Sequence, residues 1–235
     1  VTYIKRELGI EAMAHLTCVG SSRTELSAVL DRLQASGIEN MIALRGDPPT
    51  GESRFSPHPD GLAHASDLVR MIRSQRRPFC LAAAAYPESH VESRSSDEDL
   101  RHLVDKVAAG VDVLITQLFF DNRHYFEFVD RARAAGIKVP IVPGIMPVTN
   151  VAQIERFTRL CGATIPRLLR DRLDPARDDA EAVVRIGIEH ATAQCQELLA
   201  TGAPGIHFYT LNRSRSTRTI LRLLRGARRG LSPIS

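Results

Sequence analysis

The chain has 235 residues, 43% of them hydrophobic and 25% charged, with a formal charge of +4, values that describe an ordinary folded domain and exclude a disordered chain. Its length suits one barrel-sized domain, residues 1–235, since (β/α)₈ barrels run to about 250 residues. No run approaches the ~18 consecutive apolar residues of a membrane span. Val1–Ile10 lacks an apolar stretch followed by a small-residue cleavage site, so a cytoplasmic protein free of the membrane is expected, with its true start upstream of Val1. Cys18, Cys80, Cys161 and Cys195 form no C-x-x-C pair, which argues against a zinc ribbon or redox dithiol and predicts buried free thiols.

In chain order, Val1-Thr2-Tyr3 reads as a strand, and Ile4 to Gly9 as the last turns of a helix. Only Ile4–Ala12 separates that strand from the next, less than the dozen or more residues of a parallel crossover, so a missing segment between Tyr3 and Ile4 is expected. Met13–Thr17 is the second candidate strand. Ser22 and Glu25 fit a capping box opening a helix over Leu26–Ala35, closed by Gly37. Glu39–Arg45 reads as a strand, Ser66 and Asp67 lead into a helix over Leu68–Ser74, and Phe79–Tyr86 is the next strand. Asp97, Glu98 and Asp99 crowd the start of a helix through Ala109, where carboxylates suit the positive end of the dipole, and Gly110 closes it. Val111–Phe119, Lys138–Pro143 and Gly205–Thr210 complete seven candidate strands.

The strands are nearly continuous apolar runs, such as Met41-Ile42-Ala43-Leu44, as expected when helices cover both faces of a parallel sheet. No strand is followed by G-x-G-x-x-G, which weighs against a doubly wound dinucleotide-binding sheet. The predicted fold class is therefore α/β, a (β/α)₈ TIM barrel, with its first strand expected upstream of Val1.

Active-site groups of such barrels come from the C-terminal ends of strands. That rule selects Thr2, Thr17 and Cys18, Arg45-Gly46-Asp47, Tyr86-Pro87-Glu88 with His90, Gln117 with Phe119, Pro143-Gly144, and Tyr209 to Arg213. Arg45 and Asp47 flank a glycine where the chain can approach a ligand closely; equally, they could pair with each other or cap the helix at Ser66. Gln117 should be a buried amide that needs partners for donor and acceptor, met by a heterocycle or by a hydrogen bond in the barrel interior. His90 alone reads as a solvated loop histidine and Lys106 as a surface lysine. His15 and Cys18, with no second pair, do not make a metal site, and none is predicted.

Taken together, His15-Leu-Thr-Cys18, Ala43-Leu-Arg-Gly-Asp47, Ala85-Tyr-Pro-Glu-Ser-His90, Ile115-Thr-Gln-Leu-Phe-Phe-Asp121, Pro143-Gly-Ile-Met-Pro147 and His207-Phe-Tyr-Thr-Leu-Asn-Arg213 resemble bacterial methylenetetrahydrofolate reductases, in order and across nearly the whole chain. The resemblance implies a barrel carrying FAD, reduced by NADH or NADPH, that passes a hydride to methylenetetrahydrofolate. It places Thr2, His15, Arg45, Gly46, Asp47, Ala65, Tyr86, His90, Ser93, Asp99 and Lys106 around FAD, with Arg45 and Lys106 neutralising the pyrophosphate. It gives Asp47 a catalytic position close to flavin and folate, Gln117 the pterin, Gln153 and Phe157 the folate or nicotinamide nucleotide, and Arg213 the folate glutamate, whose carboxylate suits a planar guanidinium.

His64, His102 and Asp105 depart from the family's FAD surround, so adenosine and phosphate contacts are expected to differ. The family's general acid, a glutamate on the first barrel strand worth about 10²–10⁴-fold in rate, is expected upstream of Val1. The implied partners are the folate and the nicotinamide nucleotide, and a homo-oligomer is compatible with the family. Two other readings remain open: a folate-binding flavoprotein reduced by a partner protein, and a nucleic-acid-binding module built on the seven arginines of Asn212–Gly230. Against the second, Ile220, Leu221, Leu223 and Leu224 predict an amphipathic final helix whose arginines face solvent.

Overall fold

The computed structural model describes residues 1–47 and 56–229, the last three by their backbone alone. Pro48 and Pro49, which follow Asp47, lie outside the described residues. Six parallel-type strands occur among them, and each is hydrogen-bonded to its sequence neighbour in the order β1-β2-β3-β4-β5-β6. A doubly wound sheet requires a reversal of strand order at its switch point; this order has none, and the strands follow the (β/α)₈ pattern. By contacts the chain divides into two compact units, Val1–Ala85 with Leu100–Leu114 and Gly136–Pro140, and Tyr86–Asp99 with Ile115–Ala135 and Ile141–Ser235.

The first unit opens with a correction. Val1-Thr2-Tyr3 is not a strand: α1 (Thr2–Leu8) runs unbroken through Tyr3 and Ile4 and ends at Gly9 in the left-handed conformation, φ 62°. A strand needs a neighbour for its backbone groups, whereas a helix satisfies them internally, as the Lys5 N–H to Val1 carbonyl bond does. The helix buries no residue. It is fastened by Lys5, which bridges Glu11 and Glu39, and by Arg6 on the Ala35 carbonyl. Strands β1 (Met13–Thr17), β2 (Asn40–Leu44) and β3 (Cys80–Ala85) pair in parallel, with His15 opposite Ile42 and Ala43 opposite Ala83.

Helix α2 (Arg23–Ala35) starts one turn earlier than predicted, with the reciprocal Ser22–Glu25 capping box in place. Helix α3 (Ala65–Ser74) likewise begins ahead of Leu68, because Asp67 reaches back to the His64 N–H. Arg73 then holds the opposite end of the unit together, donating to the carbonyls of Phe79 and Gly110 and pairing with Asp112. Cys18 is buried as expected, but Cys80 is exposed, because it is the outward-facing first residue of β3.

The element boundaries α4 (Ser96–Ala108) and β4 (Val113–Leu118) match the acidic start and the apolar run read from sequence. In the second unit, α5 (Asn122–Ala134) is capped by Asp121, α6 (Val151–Cys161) by Asn150 and α8 (Ala180–Ala200) by Asp179. Helix α7 (Arg167–Leu173) lies between the last two. Apolar residues of α6, α7 and α8, with Leu118, Phe120, Met146 and Val148, form one core. Strand β5 is Ile141–Ile145 instead of Lys138–Pro143, and β6 is only His207–Phe208, paired with Gly144 and Ile145. At Gly187, mid-way along α8, a Cβ would collide with the Val148 backbone, so only glycine lets the helix pack there. Helix α9 (Arg215–Arg229) packs on α8 through Ile220 and Leu224, while Leu221 and Leu223 are exposed, which narrows the expected apolar face to an i, i+4 pair. No helix among the described residues is long and apolar enough to cross a membrane.

Candidate active site

In the first unit, candidate residues cluster where β1 and β2 end. The Cys18 and Val19 N–H groups donate to the Leu44 and Arg45 carbonyls, extending the ladder past both strands and fixing Arg45-Gly46-Asp47 beside Thr17. Gly46 has φ 89°, and a Cβ there would come within 2.5 Å of the Val19 side chain and 3.1 Å of Thr17, so both conformation and space require glycine. Asp47 emerges exposed from this turn. The buried Cys18 thiol donates to the Arg45 carbonyl, and burial pushes its pKa up, disfavouring the thiolate.

His15 is exposed on β1 between buried Ala14 and Leu16. Ala14 packs toward Leu33 of α2, so His15 occupies the other face of the strand. Lys106 is not a free surface lysine: it is half-buried, and its ammonium donates to the Ala84 carbonyl at 2.8 Å, bringing a cation to the end of β3. Ala65 opens α3, at whose start Asp67 accepts the His64 N–H. His64, His102 and Asp105 are exposed. Thr2 lies in α1 and not at a strand end.

In the second unit the segment after β3 is a tight, cross-linked turn. Ser89 takes the left-handed conformation, φ 71°, and brings Tyr86 and His90 edge to face with ring centroids 4.6 Å apart. His90 Nδ1 accepts from the Glu92 N–H, and the Ser93 hydroxyl donates to Asp99 at 3.3 Å. The structure thus brings Tyr86 together with His90, and Ser93 with Asp99. Gln117 is half-buried and not fully buried as expected; with Tyr86 and Cys161 it lines a small hollow. Its amide oxygen accepts from the Leu118 N–H, and among the described residues its NH₂ has no acceptor.

A cavity of about 160 Å³ lies at the ends of β5 and β6, lined by Met146, Asn150, Gln153, Tyr209, Arg213 and Thr217 among others. Gln153 and Arg213 are exposed there, while Phe157 packs at the edge of the core. Leu211 and Asn212 both have positive φ, 48° and 60°, so the turn that presents Arg213 is held in a strained conformation. No other described group pairs with the Arg213 guanidinium.

Sequence reasoning put Tyr209 on the rim without a role; the structure supplies one. Its hydroxyl donates to the Thr116 carbonyl at 2.9 Å, the Gly144 N–H donates to the Thr116 hydroxyl, and a Cβ on Gly144 would meet the Tyr209 ring at 2.6 Å. Asn150 was also missed, although Asn150 followed by Gln153 is a capping signature. Tyr209→Phe should cost about 1–2 kcal/mol through the unsatisfied carbonyl. Burial pushes the Tyr209 phenol up to about 12 from its ordinary 10, so above pH 10 the unfolded chain loses a proton that the folded one keeps, and stability falls as pH rises toward 12. The variant lacks that slope. Urea midpoints at about pH 8 and about pH 11 should therefore show the gap between wild type and Tyr209→Phe narrowing by up to about 1 kcal/mol; a constant gap would contradict the assignment.

Residues 1–225 match the family profile described as methylenetetrahydrofolate reductase. The chain is 39% identical over 228 residues to the 5,10-methylenetetrahydrofolate reductase of Escherichia coli, covering 97% of this chain and 74% of that one. It is 40% identical over 222 residues to a probable methylenetetrahydrofolate reductase (NADH) of Oryza sativa, covering 90% of this chain but only 37% of the rice protein. The chain therefore spans little more than a third of the plant relative's length. Among solved structures, a Clostridium thermocellum protein described as binding two copies of 5-methyl-5,6,7,8-tetrahydrofolic acid superposes with a TM-score of 0.60 at 18% identity, covering 96% of this chain and 76% of that one, a likeness of fold.

Proposed function

The chain belongs to the methylenetetrahydrofolate reductase family, and from that premise we propose that it catalyses the flavin-dependent reduction of 5,10-methylenetetrahydrofolate to 5-methyltetrahydrofolate with a nicotinamide nucleotide as donor. NADH, the nucleotide in the rice relative's name, is the proposed donor. The observation that carries the reading is a pair of groups in the second unit without a partner among the described residues: the Gln117 NH₂ in β4 and the Arg213 guanidinium in the turn after β6. A pterin offers acceptors to the first, and a glutamate carboxylate a bidentate partner to the second.

The residues present suit FAD by their donor chemistry. Arg45 stands at the end of β2 and Lys106 is anchored at the end of β3, and two cations answer a pyrophosphate without a glycine-rich loop. Gly46, Asp47, His15, Ala65 and Thr2 are proposed for the same cofactor in the first unit, and Tyr86, His90, Ser93 and Asp99 in the second. When bound, FAD supplies hydride relay between nicotinamide and folate. The chain's own contribution is positional and electrostatic: Asp47 sets a negative charge at the reacting end, Gln117 orients the pterin, Gln153 and Phe157 face folate or nucleotide, and Arg213 holds the tail. Anaerobic addition of NADH, then methylenetetrahydrofolate, to the flavin-loaded protein tests the reading by whether 5-methyltetrahydrofolate forms in step with NADH consumed; product formed only with a partner electron-transfer protein would replace the donor.

A further inference from the structure

Glu88 belongs to no role assigned so far, yet its carboxylate, in the turn after β3, engages residues far along the chain. Only 10% of its side chain is exposed. It accepts from the Thr164 N–H at 3.0 Å and from the Thr164 hydroxyl at 2.6 Å, across 76 residues of chain, and its Oε2 lies 3.5 Å from His124 Nε2 on α5. Thr164 stands three residues beyond Cys161, the last residue of α6. A second contact crosses the same seam: α6 ends at Gly162 with φ 75°, and a Cβ there would lie 2.9 Å from the Val91 side chain, so the turn sits against bare backbone.

The two elements joined in this way carry different cargo under the proposed function, on which this inference rests. The turn holds Tyr86 and His90, assigned to the flavin; α6 holds Gln153 and Phe157, assigned to the folate or nucleotide. We propose that Glu88 is a positioning residue, a latch that fixes the flavin-contacting turn to the substrate-contacting helix through Thr164, so that the two halves of the site keep one register. Charge-assisted bonds at an ordinary loop crossing would hold the loop alone. Here the strained Ser89 lies directly between Glu88 and His90, so loss of the anchor lets the turn relax its left-handed residue and separates the two rings.

The test compares Glu88→Ala, Glu88→Gln and Thr164→Val in the flavin-loaded protein. Glu88→Ala should weaken FAD binding and raise KM for methylenetetrahydrofolate together, each by about ten-fold or more, with kcat changed less than either. Glu88→Gln keeps an acceptor for the Thr164 N–H and should recover most of both losses; Thr164→Val, which keeps the N–H but not the hydroxyl, should fall between. Hydrogen exchange read on the same proteins without ligand should rise in residues 86–93 and 162–166 together. Exchange that rises in 86–93 alone, or an FAD affinity and folate KM that move independently across the three variants, would overturn the latch. A wild-type protein that takes up no FAD would instead defeat the functional reading, while the exchange result would still decide whether the two segments are coupled. Should Glu88→Ala not fold, Thr164→Val and Glu88→Gln carry the same comparison.

Discussion

Gly187→Ala should destabilise the protein by at least about 2 kcal/mol, although the change is from a poor helix former to the best one. In the interior of α8, alanine would gain about 1 kcal/mol of helix propensity over glycine. Its Cβ, however, would overlap the carbonyl oxygen, the carbonyl carbon and the Cα of Val148, all backbone atoms that no rotamer change can move. Overpacking typically costs about 1–3 kcal/mol, and a Cβ that overlaps a backbone oxygen lies at or beyond the upper end of that range, so the clash wins. For a chain of this size the net loss corresponds to a drop in Tm of about 4–8 °C. Gly226 in α9 is the control, since nothing lies within 4 Å of a Cβ there: Gly226→Ala should be neutral or stabilising by up to about 1 kcal/mol. Equal effects at the two positions would show that α8 does not touch the Val148 segment.

Under the proposed function, Arg213→Ala should raise KM for methylenetetrahydrofolate by about 10- to 100-fold with little change in kcat, because the proposed charge-assisted contact to a substrate carboxylate remote from the reacting carbon would be lost in ground and transition states alike. Folate analogues without the glutamate separate this from general damage to the turn. Against an analogue ending at the benzoyl group, wild type and variant should perform alike, since the carboxylate that Arg213 would hold is absent. If Arg213→Ala lowers activity equally on both, the residue acts by supporting the strained Leu211–Asn212 turn and not by recognising the tail. Arg213→Lys should recover only part of the loss, as an ammonium does not reproduce the planar fork.

What was legible in the sequence follows the range of the interactions. The Ser22–Glu25 capping box, the acidic start of α4, and Gly37 and Gly110 after α2 and α4 are local signals, set within a turn of the backbone groups they answer, and the structure reproduces them. The parallel α/β class was legible because continuous apolar runs alternate with amphipathic segments, and the missing G-x-G-x-x-G favoured the barrel over the doubly wound order. The errors lie where a local preference met a tertiary constraint. Val1-Thr2-Tyr3 has strand-forming side chains but no strand beside it among the described residues, and Thr2 and Tyr3 open a helix capped by Val1. Strand β5 continues through Pro143 to Ile145 because Gly144 and Ile145 pair with His207 and Phe208, a register that cannot be seen from residues 138–143 alone. Leu221 and Leu223 looked like core by composition, yet the helix turns only Ile220 and Leu224 inward.

The site shows the same division. The rule that strand ends carry function selected Arg45, Asp47, Tyr86, Gln117 and Arg213 as candidates, because strand ends are visible in the sequence. It missed the bond from Tyr209 to Thr116 and the engagement of Glu88 by Thr164, because these join residues 93 and 76 positions apart. It also misjudged Lys106, whose tether to Ala84 depends on how α4 returns to β3.

The most direct test of the central claim is the visible absorbance spectrum of the purified full-length protein, supplied with FAD and followed anaerobically through addition of NADH and then of methylenetetrahydrofolate. A bound flavin band that bleaches with NADH and returns with the folate is the expected result, since it registers both halves of the proposed hydride transfer. A protein that takes up no flavin, or a flavin band indifferent to both additions, would contradict the assignment and leave a barrel of this family without its reductase chemistry.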